Sequence, residues 1–403
     1  MFHQLVNRNE DLRRVVEKGY ALAFDDLQYL VVRDISYLDH DLNLQWGAIV
    51  TKFVDKGDDL ISQEDHQIFF AGSHPHGLDG KPIPNLGGGP TILTLSDSSK
   101  DVVVQRSFSN KPVVAGQKRD FTDFFEKIES YVTIFSGPAI ERFKDKGNPF
   151  TFRIVESGKS DSPFKFRDTL TSRAEIGDLS ARFKDDVIAI IGLGGTGSYL
   201  LDFATKTPVR EIRGFDKDYY FIHNAFRSPG KMDASELRKT KAEIYHARYD
   251  GFRTGLSIVQ KYIDATCEED LKGVTFAFVC VDKGSSRAGI FDLLIRLGIP
   301  FIDVGMGLSR KGGPLDGLLR VTYYSVERAR EMCQKGFAPL TDDPNDLYRT
   351  NIQIGELNAL NACFAVVRFK QIRGFYYDEL SQHHFLFGVG DLKIAGDAEI
   401  KPD

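Results

Sequence analysis

The sequence predicts an α/β protein in which a doubly wound sheet follows a smaller α+β domain, and three observations carry that prediction. "DDVIAIIG", "REIRGFD", "GVTFAFVCVD" and "IPFIDVGMGL" are apolar runs closed by turn residues, the pattern of parallel strands covered on both faces. The stretches between them are long enough for crossover helices. The first half reads differently, as short strand-like segments broken by turns together with helical stretches, the grammar of a small α+β unit. At 403 residues two domains are expected, at roughly 100 to 200 residues each.

Taken in order, "NEDLRRVVEKGYALAFDDLQYL" places Leu12, Val15, Val16, Tyr20 and Ala23 at helical spacing. "LNLQWGAIV" alternates Leu42, Leu44, Trp46, Ala48 and Val50 as a strand does, and "DKGDD" supplies a turn after it. "HQIFFAG", "PTILTL" and "VVVQRSF" are further strand segments, "FTDFFEKIESYVTIFSG" a helix and "NPFTFRIVE" a last strand. This domain covers 1–156. The polar, breaker-rich "SGKSDSPF" opens a linker and lead-in helix over 157–184, the α/β domain covers 185–375, and 376–403 is a C-terminal tail.

Composition excludes several classes. With 42% hydrophobic and 27% charged residues, no run approaches the roughly 18 apolar residues of a membrane span. The N-terminus mixes charges and lacks a secretory pattern, which places the protein in the cytoplasm. A net charge of -5 and a pI near 6.0 give no reason to expect nucleic acid. Cys267, Cys280, Cys333 and Cys363 form no CxxC pair, against a disulfide framework or a structural zinc. The first 266 positions hold no thiol. "HPHGLD" at 74–79, rich in proline and glycine, reads as a turn.

Chemistry concentrates in "VIAIIGLGGTGSYLLDF". In a strand–turn–helix of this kind Gly192 allows the tight turn, Gly194 and Gly195 let a phosphate approach bare backbone, and Gly197 lets the helix sit close to the strand. Asp216 ends the next apolar run nineteen residues after Gly197, where a carboxylate accepts bonds from ribose hydroxyls. That pair of features serves ATP and NAD alike. The segment "DKDYYFIHNAFR" separates them, because a hydride-transferring site has no need of a second acid, an Asn and an Arg past the ribose carboxylate.

With Asp216, Asp218, Asn224 and Arg227 in register, this segment resembles the D-x-D-x(5)-N-x-x-R signature of the ThiF/MoeB and ubiquitin-activating enzyme superfamily. His223 and Phe226 depart from its usual Ser and Asn. "RKTKAEIY" is similar to the segment that carries the family's phosphate-contacting lysine, here Lys241, with Lys239 as the alternative. "FVCVDKGSSR" resembles T-D-N-x-x-x-R, with Asp282 at the acid, Lys283 for the Asn, and Arg287. The stretches "HQIFFAGSHPHGLDGKPI" and "VVVQRSFSNKP" look like an uncharacterised domain found ahead of ThiF modules in bacteria, by analogy a conjugating-enzyme fold, inactive here without a cysteine.

The resemblance implies a Rossmann-like adenylyltransferase that uses ATP and Mg2+ to activate the C-terminal glycine of a ubiquitin-like β-grasp protein. Such a pathway is a bacterial conjugation system, in the setting of antiviral defence, with a downstream conjugating protein. Asp216 anchors ribose, Arg227 and Lys241 neutralise phosphate charge, Asn224 bonds a phosphate oxygen, Asp218 braces the loop, and Asp282 holds magnesium. Arg173 or Arg167 reaches a neighbouring site, which makes the protein a homodimer. Cys333, with Arg330 and Lys335 near in sequence, is the acceptor thiol if a transfer step exists, and Cys280 and Cys363 read as core. Sulfur-carrier activation, a Rossmann oxidoreductase and a non-catalytic scaffold are the alternatives.

Overall fold

The computed structural model describes residues 2–114, 116–155, 162–166, 168, 170–171, 174, 176–310, 312–342 and 352–397. The chain divides into two compact units, Met1–Ser160 with Phe166–Glu175, and Asp161–Lys165 with Ile176–Asp403.

The first unit opens with two short helices, α1 (Phe2–Arg8) and α2 (Glu10–Glu17). An antiparallel sheet follows, with strands β1 (Ala21–Asp25), β2 (Tyr29–Leu38), β3 (Leu44–Gly57), β4 (Leu60–Gln63), β5 (Ile68–Ala71), β6 (Gly89–Pro90) and β7 (Arg106–Phe108). Their order is β1-β2-β3-β5-β7-β6, with β4 on β3. Val113–Val114 (β8) and Gln117–Lys118 (β9) make a separate small hairpin. The long helix α3 (Phe124–Phe143) starts at Asp123, whose carboxylate accepts the Glu126 N–H at 2.7 Å. Phe124, Ile128, Tyr131 and Phe135 of α3 bury against Leu30, Val32, Ile49 and Phe70 of the sheet.

The predicted first helix stops at Glu17, and the rest of that segment forms β1 and β2. All five residues of β1 are buried, so the strand has no polar alternation and its apolar residues also fit a helical spacing. Leu42 sits in a turn at φ 61° and Trp46 is 47% exposed, so the alternation ascribed to "LNLQWGAIV" holds only in part. "PTILTL" forms strand only at its leading proline, "VVVQRSF" only over Arg106–Phe108, and the described part of "NPFTFRIVE" is not strand. "HPHGLD" is a turn, with the Gly77 N–H donating to the Lys81 carbonyl at 2.9 Å and Gly80 N–H to Gly77 at 3.0 Å.

The second unit is built on an eight-stranded sheet ordered β12-β11-β10-β13-β14-β15-β16-β17. Its strands are β10 (Val187–Ile191), β11 (Glu211–Phe215), β12 (Leu256–Val259), β13 (Phe276–Val279), β14 (Phe301–Arg310), β15 (Leu315–Tyr324), β16 (His384–Gly388) and β17 (Ile394–Asp397). The first five in space run parallel. β14 to β17 then continue as an antiparallel meander. Helices α4 (Gly195–Thr205), α5 (Ile222–Ala225), α6 (Lys241–Tyr249), α7 (Gly284–Leu297), α8 (Ala329–Gln334) and α9 (Gly355–Ile372) cover it.

β10 shows why the apolar runs were continuous. Ile188 and Ile190 pack with Leu200 of α4 and Ala362, Ala365 and Phe369 of α9. Val187, Ala189 and Ile191 face the other side, toward Ile290, Phe291 and Leu294 of α7. Both faces are dry, so every position is apolar. The segment taken as a tail, 376–403, contributes β16 and β17 to the sheet, a correction to the expected organisation. Phe385 and Phe387 of β16 are buried there.

Candidate functional site

The site lies at the carboxyl ends of three adjacent strands, β11, β10 and β13, where strand order changes direction. In open α/β sheets that is where ligands bind. The chain leaves β10 through Gly192, at φ 94°, and its N–H donates to the Phe215 carbonyl at 2.8 Å. A Cβ on Gly192 would stand 2.7 Å from the Cys280 carbonyl oxygen, and one on Gly197 only 1.9 Å from that of Gly192. These two glycines therefore make the turn and the close helix–strand approach expected of them.

Gly194 and Gly195 differ from each other. Gly194 is the N-cap of α4, carries no side-chain cap, and has nothing within 4 Å of the place its Cβ would take. Backbone N–H groups at such a helix start suit an anion. The space beside Gly195 is filled by the amide of Asn358, whose Nδ2 lies 2.3 Å from where a Cβ would be. The expectation that Gly195 leaves bare backbone to a ligand is corrected: its missing side chain makes room for α9.

Asp216 follows β11 and is buried beneath the turn. Its Oδ2 accepts the Leu193 N–H at 2.7 Å and its Oδ1 the Asp218 N–H at 2.8 Å. Lys241 is the first residue of α6, placed there by a reciprocal cap in which the Glu243 carboxylate accepts the Thr240 N–H at 2.8 Å and Thr240 Oγ1 accepts the Glu243 N–H at 3.1 Å. Its Nζ sits 3.2 Å from Asp216 Oδ2 and 3.0 Å from Asp218 Oδ2. Lys241 is buried beside the two carboxylates, whereas Lys239 is exposed.

Asn224 is buried, and its Oδ1 accepts the Phe221 N–H at 2.8 Å, closing the start of α5. Its carbonyl oxygen therefore braces the loop, a role the sequence assigned to Asp218. Arg227 follows, with a buried Nε that has no hydrogen-bond partner among the described residues. Phe226 beside it is 83% exposed.

Asp282 and Lys283 are exposed just beyond β13. Arg287 is not a free cation. It is buried, with Nε donating to Asp303 Oδ1 at 2.9 Å, Nη1 to the Pro339 carbonyl at 2.9 Å and Nη2 to the Val281 carbonyl at 2.5 Å. It thus fixes the backbone immediately before Asp282. Among the described residues no three His, Cys, Asp or Glu side chains converge to hold a metal. Mg2+ typically takes one or two carboxylates and completes its shell with phosphate and water, and an exposed Asp282 fits that manner of binding.

The structure corrects the environment assigned to Cys333. On α8 it is half-buried, and burial together with the Asp303 carboxylate pushes its thiol up, outweighing Arg330. Burial also raises Cys363 and drives Cys280 well above the ordinary thiol range. Alkylation of Cys333 by iodoacetamide, followed by peptide mass spectrometry, is expected to be slower at pH 7 than that of a free thiol and to speed up with rising pH, because the thiolate reacts. Alkylation as fast as that of free cysteine would restore the reactive-thiol reading. Arg173 and Arg167 lie outside the described residues.

Each half of the chain matches a different family model. Residues 173–339 are a ThiF family domain. The second unit is accordingly an enzyme domain of the ThiF type, with a Rossmann-like sheet. Residues 10–169 match a domain of unknown function, DUF6791. No curated protein matches the chain. Among solved structures it is similar to E. coli MccB with ATP at 15% identity and a TM-score of 0.43, over 58% of this chain and 72% of that one. Selenomethionine PaaA gives 16% identity and a TM-score of 0.41, over 55% and 75%. E. coli MccB with AMPCPP and MccA gives 16% and 0.40, over 55% and 66%, so the chain spans about two thirds of the length of that protein.

Proposed function

We propose that the ThiF domain of this protein adenylates the C-terminal carboxylate of a protein partner at the expense of ATP. The observation that carries the reading is the group of cations and acids around one open helix start. Lys241 lies between Asp216 and Asp218, Gly194 is uncovered, and Arg227 holds an unpaired buried Nε. A hydride-transferring site has no use for that much positive charge beside the ribose acid, whereas a triphosphate does.

In this reaction a carboxylate oxygen bonds to the α-phosphorus while the bridging bond to the β-phosphate breaks, giving an acyl adenylate and pyrophosphate. The nucleophile is already ionised near pH 7, so the site needs no general base. Its work is to align two anions and offset their charge. Asp216 receives the ribose hydroxyls, and the first N–H groups of α4 receive phosphate oxygens. Lys241 exchanges its carboxylate partners for phosphate, and Arg227 donates from the loop after β11. Asp282 would hold Mg2+, which neutralises phosphate charge when bound.

The partner in this reading is a ubiquitin-like β-grasp protein ending in glycine, within a bacterial conjugation pathway. The protein acts in the cytoplasm as a homodimer, with Arg173 serving the neighbour's site, and the first unit binds a protein without covalent chemistry. Calorimetry tests the nucleotide step. Asp216→Ala is expected to weaken ATP at least tenfold, as loss of hydrogen bonds to a charged group does. Tighter binding of NADH than of ATP by the unaltered protein would overturn the reading.

A further inference from the structure

We infer that Asn358 is a phosphate-binding residue, donating its Nδ2–H to the polyphosphate at the start of α4; the inference rests on the ATP reading above. Asn358 lies one turn into α9 and is 1% exposed. Its Oδ1 accepts the Thr196 hydroxyl at 2.9 Å, and that bond orients the amide. With the oxygen engaged, Nδ2 is left buried and without a partner.

A buried amide donor left unmatched costs free energy that an apolar side chain of the same size would avoid. Packing alone therefore does not account for an asparagine here. The neighbouring Asn361, three residues on, differs in which atom is left over: its Nδ2 donates to the Gly305 carbonyl at 3.0 Å and its Oδ1 is the atom without a partner, an unmatched acceptor that has nothing to offer an anion.

The position of Nδ2 supplies the ligand. Nδ2, Cγ and Oδ1 of Asn358 lie 2.3, 2.5 and 2.6 Å from the place a Gly195 Cβ would occupy, so the amide, with its unmatched donor, lies against the first residue of α4. The N-cap there has no side-chain acceptor. A second unmatched donor stands at the same end of α9. A Cβ on Gly355 would lie 3.1 Å from the Phe226 carbonyl oxygen, which puts the first turn of α9 against the loop carrying Arg227 and its unpaired Nε. Two buried donors from different elements, together with an uncapped helix start, call for an anionic acceptor with several oxygens. A polyphosphate is that class of ligand, and adenosine is not.

Calorimetric titration of the full chain with ATP and, separately, with adenosine tests this in the unaltered protein and in Asn358→Ala and Asn358→Asp. Asn358→Ala is expected to weaken ATP about tenfold or more, the loss of one hydrogen bond to a charged acceptor, while adenosine stays within about twofold. Asn358→Asp keeps the shape and the Thr196 acceptor, and its added negative charge is expected to weaken ATP further, again sparing adenosine. If ATP binds Asn358→Ala as tightly as the unaltered protein, or if ATP and adenosine weaken together, Asn358 is a packing residue and the inference fails alone. If the unaltered protein binds ATP no better than adenosine, the adenylation reading fails with it.

Discussion

Asp282→Asn is expected to lower ATP–pyrophosphate exchange on the order of a thousandfold while leaving the fold intact. The rate loss corresponds to several kcal/mol of transition-state charge no longer neutralised. The position gives the substitution its selectivity. Asp282 is exposed, and the backbone before it is held by Arg287 through the Val281 carbonyl and by the Cys280 N–H bond to Ile191 at 2.8 Å, neither of which involves the carboxylate. Exchange measured with saturating ATP, magnesium and a glycine-terminated carrier, alongside circular dichroism, checks both halves. Exchange at the unaltered rate would remove Asp282 from the mechanism. In the same assay Cys333→Ala is expected to leave exchange unchanged, since the half-buried thiol plays no part in adenylation.

Legibility followed the physics of each half. Of the five parallel strands, β10 and β13 were the most readable because burial on both faces leaves uninterrupted apolar runs, and the glycine turn because φ 94° at Gly192 and the contact at Gly197 admit no side chain. Asp216, Asp218, Asn224 and Lys241 are in fact brought together around one loop. In the first unit the same dryness misled: β1 is buried throughout, so a strand carried the marks of a helix.

What escaped the sequence arrives from far along the chain. Asn358 is separated from Gly195 by more than half of the second unit, and nothing local marks it as a neighbour of the turn. Arg287 has the appearance of a site cation until Asp303, on another strand, is seen to hold it. Cys333 has two basic residues near it in sequence, yet the charge that it feels most is that same Asp303. Sequence proximity is a poor guide to electrostatics when a sheet brings a distant carboxylate closer.

Two glycines of the turn separate folding from binding. Gly197→Ala is expected to prevent stable folding of the second unit. Its Cβ would fall 1.9 Å from the Gly192 carbonyl oxygen and 3.2 Å from Cys280 Cβ, and the closest atom is backbone of a tight turn whose Gly192 N–H is bonded to Phe215 at 2.8 Å, so it has little room to yield. A clash of this kind belongs with the rare substitutions that cost more than about 4 kcal/mol. Gly194→Ala is its counterpart. That residue has φ -74° and ψ -150°, away from the left-handed region that demands glycine, and open space around its Cβ position. Its melting temperature should stay within a few degrees of the unaltered protein, because nothing in the fold meets the methyl. ATP affinity should nonetheless fall at least tenfold, because the methyl stands where phosphate oxygens must reach the first N–H groups of α4. Thermal unfolding and ATP titration of the two variants read the outcomes separately. A folded Gly197→Ala of normal stability would mean that helix and strand are not in contact there, and a Gly194→Ala that binds ATP normally would move the phosphates away from this turn.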